Sequence, residues 1–254
     1  MQILLTNDDG IFAPGLAAME QALSRLGHVT VCAPATEQSG VGHSITFLTP
    51  LVVKEIVEGH HRRYAVEGSP ADSVKIGISE YCPERPDLVV SGINGGLNAG
   101  INVLYSGTVA AAIEGAFFGI TSIAVSLQWN ERFQFDKAAD LALVVIEKIL
   151  ANQGDRPTLY NLNIPTAALG RPPHVKIVPM AIQQYGEKYE KRTDPRGRNY
   201  YWAMGELPDL PPDEENDLSE LEKGHITLTP LHYDLTRHSF LTPMQKWDWT
   251  TISD

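Results

Sequence analysis

With 254 residues, 43% of them hydrophobic and 20% charged, the chain has the composition of an ordinary globular protein with a substantial core, which excludes a disordered or fibrous one. Its formal net charge of -11 argues against a nucleic-acid polymer as partner, because such binding draws on Lys and Arg to neutralise phosphates. An acidic protein that handles a small phosphate ester must supply positive potential locally, from a metal ion or from helix N-termini.

Residues 2–6 (QILLT) read as a short apolar strand. Leu16, Met19, Leu23 and Leu26 recur at helical spacing, and Gly27 is placed to end that helix. Residues 29–33 (VTVCA) give a second strand, and His60 and His61 lie between strand-like segments. Ser69 and Pro70 open another helix, Ser as N-cap and Pro at the first helical position. Residues 87–91 (DLVVS) form a third strand, and Ser106, Gly107 and Thr108 precede an Ala-rich helix that Gly119 ends. A fourth strand covers 120–127. A helix over 135–150 carries Ala138, Leu141, Val145 and Ile149 on one face, and a fifth strand covers 158–164. Near-continuous apolar strands alternating with helices predict a mostly parallel sheet covered on both faces, a doubly wound α/β fold.

After Pro165 the character changes. Residues 175–181 and 199–204 look like strands, but 186–198 are strongly charged and 207–223 are acidic and Pro-rich. An excursion of this length is an arm or a protruding hairpin. Residues 226–231 (ITLTPL) return as a strand ahead of a polar, aromatic-rich tail. The expected division is a core over 1–182, an arm over 183–225, and a return strand and tail over 226–254 that packs on the core or exchanges between subunits. Tyr200, Tyr201 and Trp202 suit subunit contacts, and a folded-back lobe is equally compatible. Cys32 and Cys82 are too few for a disulfide framework and form no C-x-x-C pair; Cys32 reads as a buried thiol. The apolar stretch before Asp8 is too short for a signal peptide. Residues 101–130, though poor in charge, suit a buried helix and strand rather than a membrane span. A soluble cytoplasmic protein is expected.

In open α/β sheets ligands bind outside the carboxyl ends of the strands, and the unusual residues fall there. The first strand runs into Asn7, Asp8, Asp9 and Gly10; the second leads to Glu37, Gln38 and Ser39; the third enters Gly92, Asn94, Gly95, Gly96, Asn98 and Gly100. Adjacent aspartates at a strand end are costly unless a cation sits between them. Carboxylate, amide and hydroxyl oxygens suit Mg²⁺, Mn²⁺ or Ca²⁺, whereas zinc is disfavoured because the sequence has no H-E-x-x-H motif and no Cys cluster. The aspartates also fit a plain turn or helix cap, and a Gly/Asn loop alone is common turn chemistry. No Walker sequence is present, and Gly40-Val41-Gly42 lacks the third glycine of a dinucleotide fingerprint. At the mouth of the Ala-rich helix, hydroxyls, free N–H groups and the helix dipole form an anion site that is compatible with ordinary capping. Asp234 and His238, four apart, align on a helix turn as a carboxylate-oriented imidazole for proton transfer, or stand as solvated residues.

Residues 3–15 (ILLTNDDGIFAPG), Ser39-Gly40, 68–74 (GSPADSV), and 91–115, with SGINGGLNAG followed by YSGTVAAAIEG, closely resemble the SurE family of stationary-phase survival proteins. Residues 194–202 (DPRGRNYYW) and 229–231 are similar too, so the resemblance spans nearly the whole chain. Ser69 and Ser73 stand where the family often has Thr and Cys, and 207–216 match only loosely. The resemblance implies a Rossmann-like core, a protruding C-terminal arm, and homodimers or homotetramers built through it. It implies 5′/3′-nucleotidase activity: hydrolysis of nucleoside monophosphates to nucleoside and phosphate. It places one divalent cation per subunit on Asp8, Asp9, Ser39 and Asn94, and the phosphate beside Asn98, Ser106, Gly107 and Thr108. The expected reaction is in-line attack by a metal-activated water, with Asp8 and Asp9 central and Asp234 and His238 assisting proton transfer. Two alternatives are a covalent phosphatase with Asp8 as nucleophile and a non-catalytic nucleotide sensor.

Overall fold

Strand β1, Gln2–Thr6, lies at the centre of the sheet, with β2 (His28–Pro34) on one side and β5 (Leu88–Gly95) on the other, both parallel to it. The computed structural model describes residues 1–59, 61–154, 157–170, 172, 174–182, 188–203 and 214–249. With β3 (Val53–Glu58), β4 (His61–Val66), β6 (Thr121–Leu127), β7 (Leu159–Ile164), β8 (Val175–Ile177) and β11 (Ile226–Leu231), the described residues form a nine-stranded sheet in the order β3-β4-β2-β1-β5-β6-β7-β11-β8. Six consecutive members, β4-β2-β1-β5-β6-β7, are parallel and follow the doubly wound order with its switch point between β1 and β5. The antiparallel pairings are β3 with β4 and β11 with β7.

Every residue of β6 is buried, as a strand covered on both faces requires. Helices α1 (Pro14–Leu23) and α4 (Phe135–Asn152) cover one face; α2 (Pro70–Ile76) and α3 (Gly107–Phe117) cover the other. In α4 the buried stripe Ala138, Ala142, Val145, Ile146 and Ile149 repeats at helical spacing and meets α1 and the sheet. Helix α2 starts as its sequence dictates. Ser69 caps it in a reciprocal capping box with Asp72, and Pro70 opens the first turn.

Several elements differ from the sequence-based expectation. Strand β5 does not stop at Ser91 but continues to Gly95, with a register shift between Ser91 and Asn94. Gly92 permits this: its φ is +139°, and a Cβ there would lie 2.3 Å from the Val125 carbonyl oxygen. The first part of the Gly-rich segment is therefore strand, not loop. β8 is shorter than 175–181. Strand β9 (Tyr189–Thr193) occupies part of the charged stretch and pairs antiparallel with β10 (Asn199–Ala203) as a separate hairpin with exposed Tyr200, Tyr201 and Trp202. Asp194 holds its turn, accepting from the Arg196 and Arg198 amides at 2.8 and 2.9 Å. Helix α5 (Asp217–Glu222) lies inside the acidic stretch, and α6 (His238–Gln245) follows in the tail with no buried residue. His60, Met204, and residues 183–187 and 207–213 of the expected arm lie outside the described residues.

Candidate active site

The candidate site residues gather at the switch point. At the end of β1 the buried Asn7 side chain closes a turn: its Nδ2 donates to the Gly10 carbonyl at 3.0 Å and its Oδ1 accepts from the Gly10 amide at 3.2 Å. That turn holds Asp8 and Asp9 at the strand end. The Asp8 carbonyl accepts from the Gln38 amide at 2.8 Å, bringing in the loop after β2. Asp9 Oδ2 accepts from the Gly95 amide at 3.2 Å, bringing in the end of β5. Asp8 Oδ1 accepts from the Thr108 hydroxyl at 2.6 Å, bringing in the start of α3.

Asp8 is only 5% exposed, and burial pushes its carboxyl up to about 6; the Thr108 hydrogen bond opposes this and the Asp9 charge adds to it. Burial also raises Asp9, with the Gly95 amide opposing and Glu37 adding. Among the described residues no cationic side chain acts on either carboxyl. Among the described residues no group of three or more His, Cys, Asp or Glu side chains is gathered to hold a metal. A cation at Asp8 and Asp9 would draw on neutral oxygens beside the two carboxylates. A buried and a half-buried carboxylate side by side among oxygen donors fit a hard divalent ion. Asn94 donates its Nδ2 to the Gly96 carbonyl at 2.7 Å, which leaves its side-chain oxygen available to a cation. Ser39 is exposed and donates to Glu37 Oε1 at 2.6 Å.

The mouth of α3 faces Asp8 at close range. A Cβ on Gly107 would lie 2.8 Å from Asp8 Cβ, 3.0 Å from its Oδ2 and 3.2 Å from Pro70 Cγ. Ser106 is the N-cap of α3 and accepts from the Val109 amide at 3.1 Å. Asn98, expected beside phosphate, is placed differently. Its Nδ2 donates to Thr108 Oγ1 (3.3 Å) and Ser126 Oγ (2.9 Å), so both amide hydrogens are spent inside the protein. Its backbone is held by Asn163 Oδ1 and by the Nδ2 groups of Asn161 and Asn163 at 2.7–2.9 Å. As placed, Asn98 reaches the site through Thr108.

Sequence reasoning assigned nothing to Asn7, Ser126, Asn161 or Asn163. The alternation Asn161-Leu162-Asn163 puts two amides on one strand face, and that period is the signal that marks them. His43, also left without a role, lies 2.8 Å from Glu114 through its Nε2.

Asp234 and His238 do pair, His238 Nε2 to Asp234 Oδ2 at 2.6 Å, which holds Asp234 far below the usual carboxylate range together with the Thr236 hydrogen bonds. Within one chain they are not brought to Asp8. Strand β11 runs antiparallel to β7 and ends with Leu231 opposite Leu159, at the sheet end away from the site. Tyr233 then packs on Phe117, the last residue of α3, whereas Asp8 touches its first. Among the described residues no helix is long and apolar enough to cross a membrane.

A doubly wound sheet with a carboxylate pair and a helix N-terminus at its switch point defines an α/β protein of the doubly wound class, in which ligands bind at that point. The chain matches the family model "Survival protein SurE" over residues 3–187. It is 60% identical over 250 residues to the 5′-nucleotidase SurE of Rhodopirellula baltica, covering 98% of this chain and 99% of that one. It is 44% identical over 253 residues to the 5′-nucleotidase SurE of Pelobacter propionicus, covering 97% and 99%. The crystal structure of the SurE protein from Aquifex aeolicus superposes with a TM-score of 0.85 at 37% identity, covering 96% of this chain and 98% of that one. The chain belongs to the SurE family.

Proposed function

We propose that this chain is a soluble, cytoplasmic phosphoric monoester hydrolase that releases phosphate from nucleoside 5′-monophosphates and, at the same site, from 3′-monophosphates. The observation that carries the reading is the contact of the Asp8 carboxylate with the first turn of α3, beside Asp9. The relatives' activity as 5′-nucleotidases supports it.

The uncatalysed reaction is so slow that enzymes of this class approach ~10²¹-fold acceleration. Positioning supplies at most about 7–11 kcal/mol of the barrier, so electrostatic stabilisation at the phosphoryl oxygens is required. In this reading Asp8, Asp9, Ser39 and Asn94 hold one Mg²⁺ or Mn²⁺. The cation, when bound, supplies Lewis-acid charge neutralisation at the phosphoryl group. Ser106, Gly107 and Thr108 offer the N-terminal end of α3 to the phosphate oxygens. Thr108, steadied by Asn98, fixes the rotamer of Asp8. One carboxylate of the pair orients the attacking water and takes its proton.

Residues 183–225 serve as the arm through which copies assemble into a dimer or tetramer, and the tail within 226–254 exchanges between them. Proton transfer by Asp234 and His238 requires that exchange, because within one chain the tail leaves from the other end of the sheet. The test is phosphate release from nucleotides under Mg²⁺, Mn²⁺ or Ca²⁺, with an EDTA-treated control. Cation-dependent release from AMP is expected. Tight nucleotide binding with no release under any cation overturns the reading, and a trapped phosphoryl-aspartate at Asp8 replaces direct water attack with covalent catalysis.

A further inference from the structure

Between the carboxyl ends of β2 and β4 lies a cleft of about 510 Å³, within the ordinary size range of small-molecule sites. Thr36, Gln38, Ser44, Thr46, Glu67 and Ser69 supply its polar lining, and Ile45 an apolar one. It adjoins the carboxylate site on two sides. The Gln38 amide is bonded to the Asp8 carbonyl, and Pro70, next to Ser69, reaches within 3.2 Å of where a Gly107 Cβ would be.

The walls are fixed by hydrogen bonds that leave other groups free. Ser69 Oγ donates to the Ser44 carbonyl at 2.7 Å, and the Thr46 amide donates to both Asp72 carboxylate oxygens at 3.0 Å. The side chains of Thr36, Gln38, Ser44, Thr46 and Glu67, in contrast, make no hydrogen bond with the described residues, so a ring of uncommitted donors and acceptors surrounds the space. Phe47 and Leu48, which follow Thr46, are 84% and 92% exposed and have no core to join. Among the described residues no Lys, Arg or His lines the cleft, and Glu67 is its one charged group. A second phosphate is therefore disfavoured, and an uncharged group with several hydrogen-bonding atoms and an apolar face is suited.

We propose that this cleft binds the nucleoside half of the substrate while its phosphate lies at the first turn of α3, with Gln38, Thr46 and Glu67 as the hydrogen-bonding groups. The inference rests on the nucleotidase reading above and adds to it where selectivity for a nucleoside resides. Recognition there reads sugar hydroxyls and base edges against a polar wall, with no aromatic ring among the described residues of the lining.

The test compares AMP with p-nitrophenyl phosphate, which carries no nucleoside, and uses adenosine as a competitor of p-nitrophenyl phosphate turnover. Glu67→Gln is nearly isosteric at an exposed position, and Gln38→Ala keeps the backbone amide that bonds Asp8. In each variant the ratio of kcat/KM for AMP to that for p-nitrophenyl phosphate should fall about tenfold, the effect of one lost hydrogen bond to a charged or buried group. The adenosine inhibition constant should rise by a similar factor. An unchanged ratio in both variants, or failure of adenosine to compete with the wild-type protein, overturns the subsite while the phosphatase reading stands. No phosphate release from either substrate by the wild-type protein overturns both.

Discussion

The Thr108 hydroxyl donates a 2.6 Å hydrogen bond to Asp8 Oδ1 and accepts one of 3.3 Å from Asn98. It is the link between the buried amide cluster and the carboxylate. Thr108→Val keeps the shape and removes the link, leaving a buried carboxylate short of a donor. Hydrogen bonds to charged groups are worth about 1.5–3 kcal/mol, so kcat/KM for AMP should fall by about 10- to 100-fold. Thr108→Ser should recover most of that loss. Steady-state kinetics beside circular dichroism check both, and a Val variant with wild-type kcat/KM would remove Thr108 from the site.

Gly107→Ala separates geometry from helix propensity. Alanine favours a helix by about 0.8–1.0 kcal/mol over glycine, so helix formation alone predicts a more stable protein. The added Cβ, however, would sit 2.8 Å from Asp8 Cβ. Displacement of a catalytic carboxylate by about 1 Å costs on the order of 10²-fold in rate. Activity should therefore drop by that order while the helical circular dichroism signal is retained.

Removal of the cation should be visible without turnover. A ligand at 100 times its Kd stabilises by about 2.7 kcal/mol, which for a chain of this size raises Tm by several degrees, at roughly 2–4 °C per kcal/mol. Mn²⁺ or Mg²⁺ should give that rise in EDTA-stripped wild-type protein. Asp9→Asn should abolish both the rise and cation-dependent phosphate release. A thermal shift of wild-type size in Asp9→Asn would displace the cation from this site.

Glu220 makes stability depend on acid. It accepts from Lys223 Nζ at 2.6 Å and lies 2.7 Å from His225 Nδ1, and these bonds lower its carboxyl below the ordinary value of 4.5. A carboxyl lowered on folding contributes stability above its unfolded pKa and loses it as pH falls through the folded value. The urea midpoint gap between wild type and Glu220→Gln should be widest near pH 7 and should close as pH falls below about 4.5. A gap that is constant with pH would mean that packing, not charge, sets the difference.

The parallel core was legible because buried strands must be apolar throughout: β1, β6 and the start of β5 declare themselves in that way. Edge strand β3 carries Lys54 and Glu55, because one of its sides faces water, and its inner neighbour β4 carries Arg62 and Arg63, the second paired with Glu20, so charges blur the apolar pattern of both. Helix α5 hid in an acidic stretch because Asp217 is buried by accepting the Gly100, Ala181 and Leu218 amides, a tertiary fact with no local signature. The strand-end loops were legible because ligand-type residues stand at the ends of apolar runs. Asp234 and His238 mark the limit: their spacing announced the pair, while their place depends on the direction of β11, which no local pattern encodes.

The insertion of β11 between β7 and β8 has a consequence for biosynthesis. The sheet cannot close until residues 226–231 have left the ribosome, so nascent chains carry β7 with an open edge and β8 without a neighbour. Premature termination ahead of residue 226 would leave that edge free to recruit other strands, and such fragments should enter inclusion bodies rather than accumulate as folded, partly active enzyme.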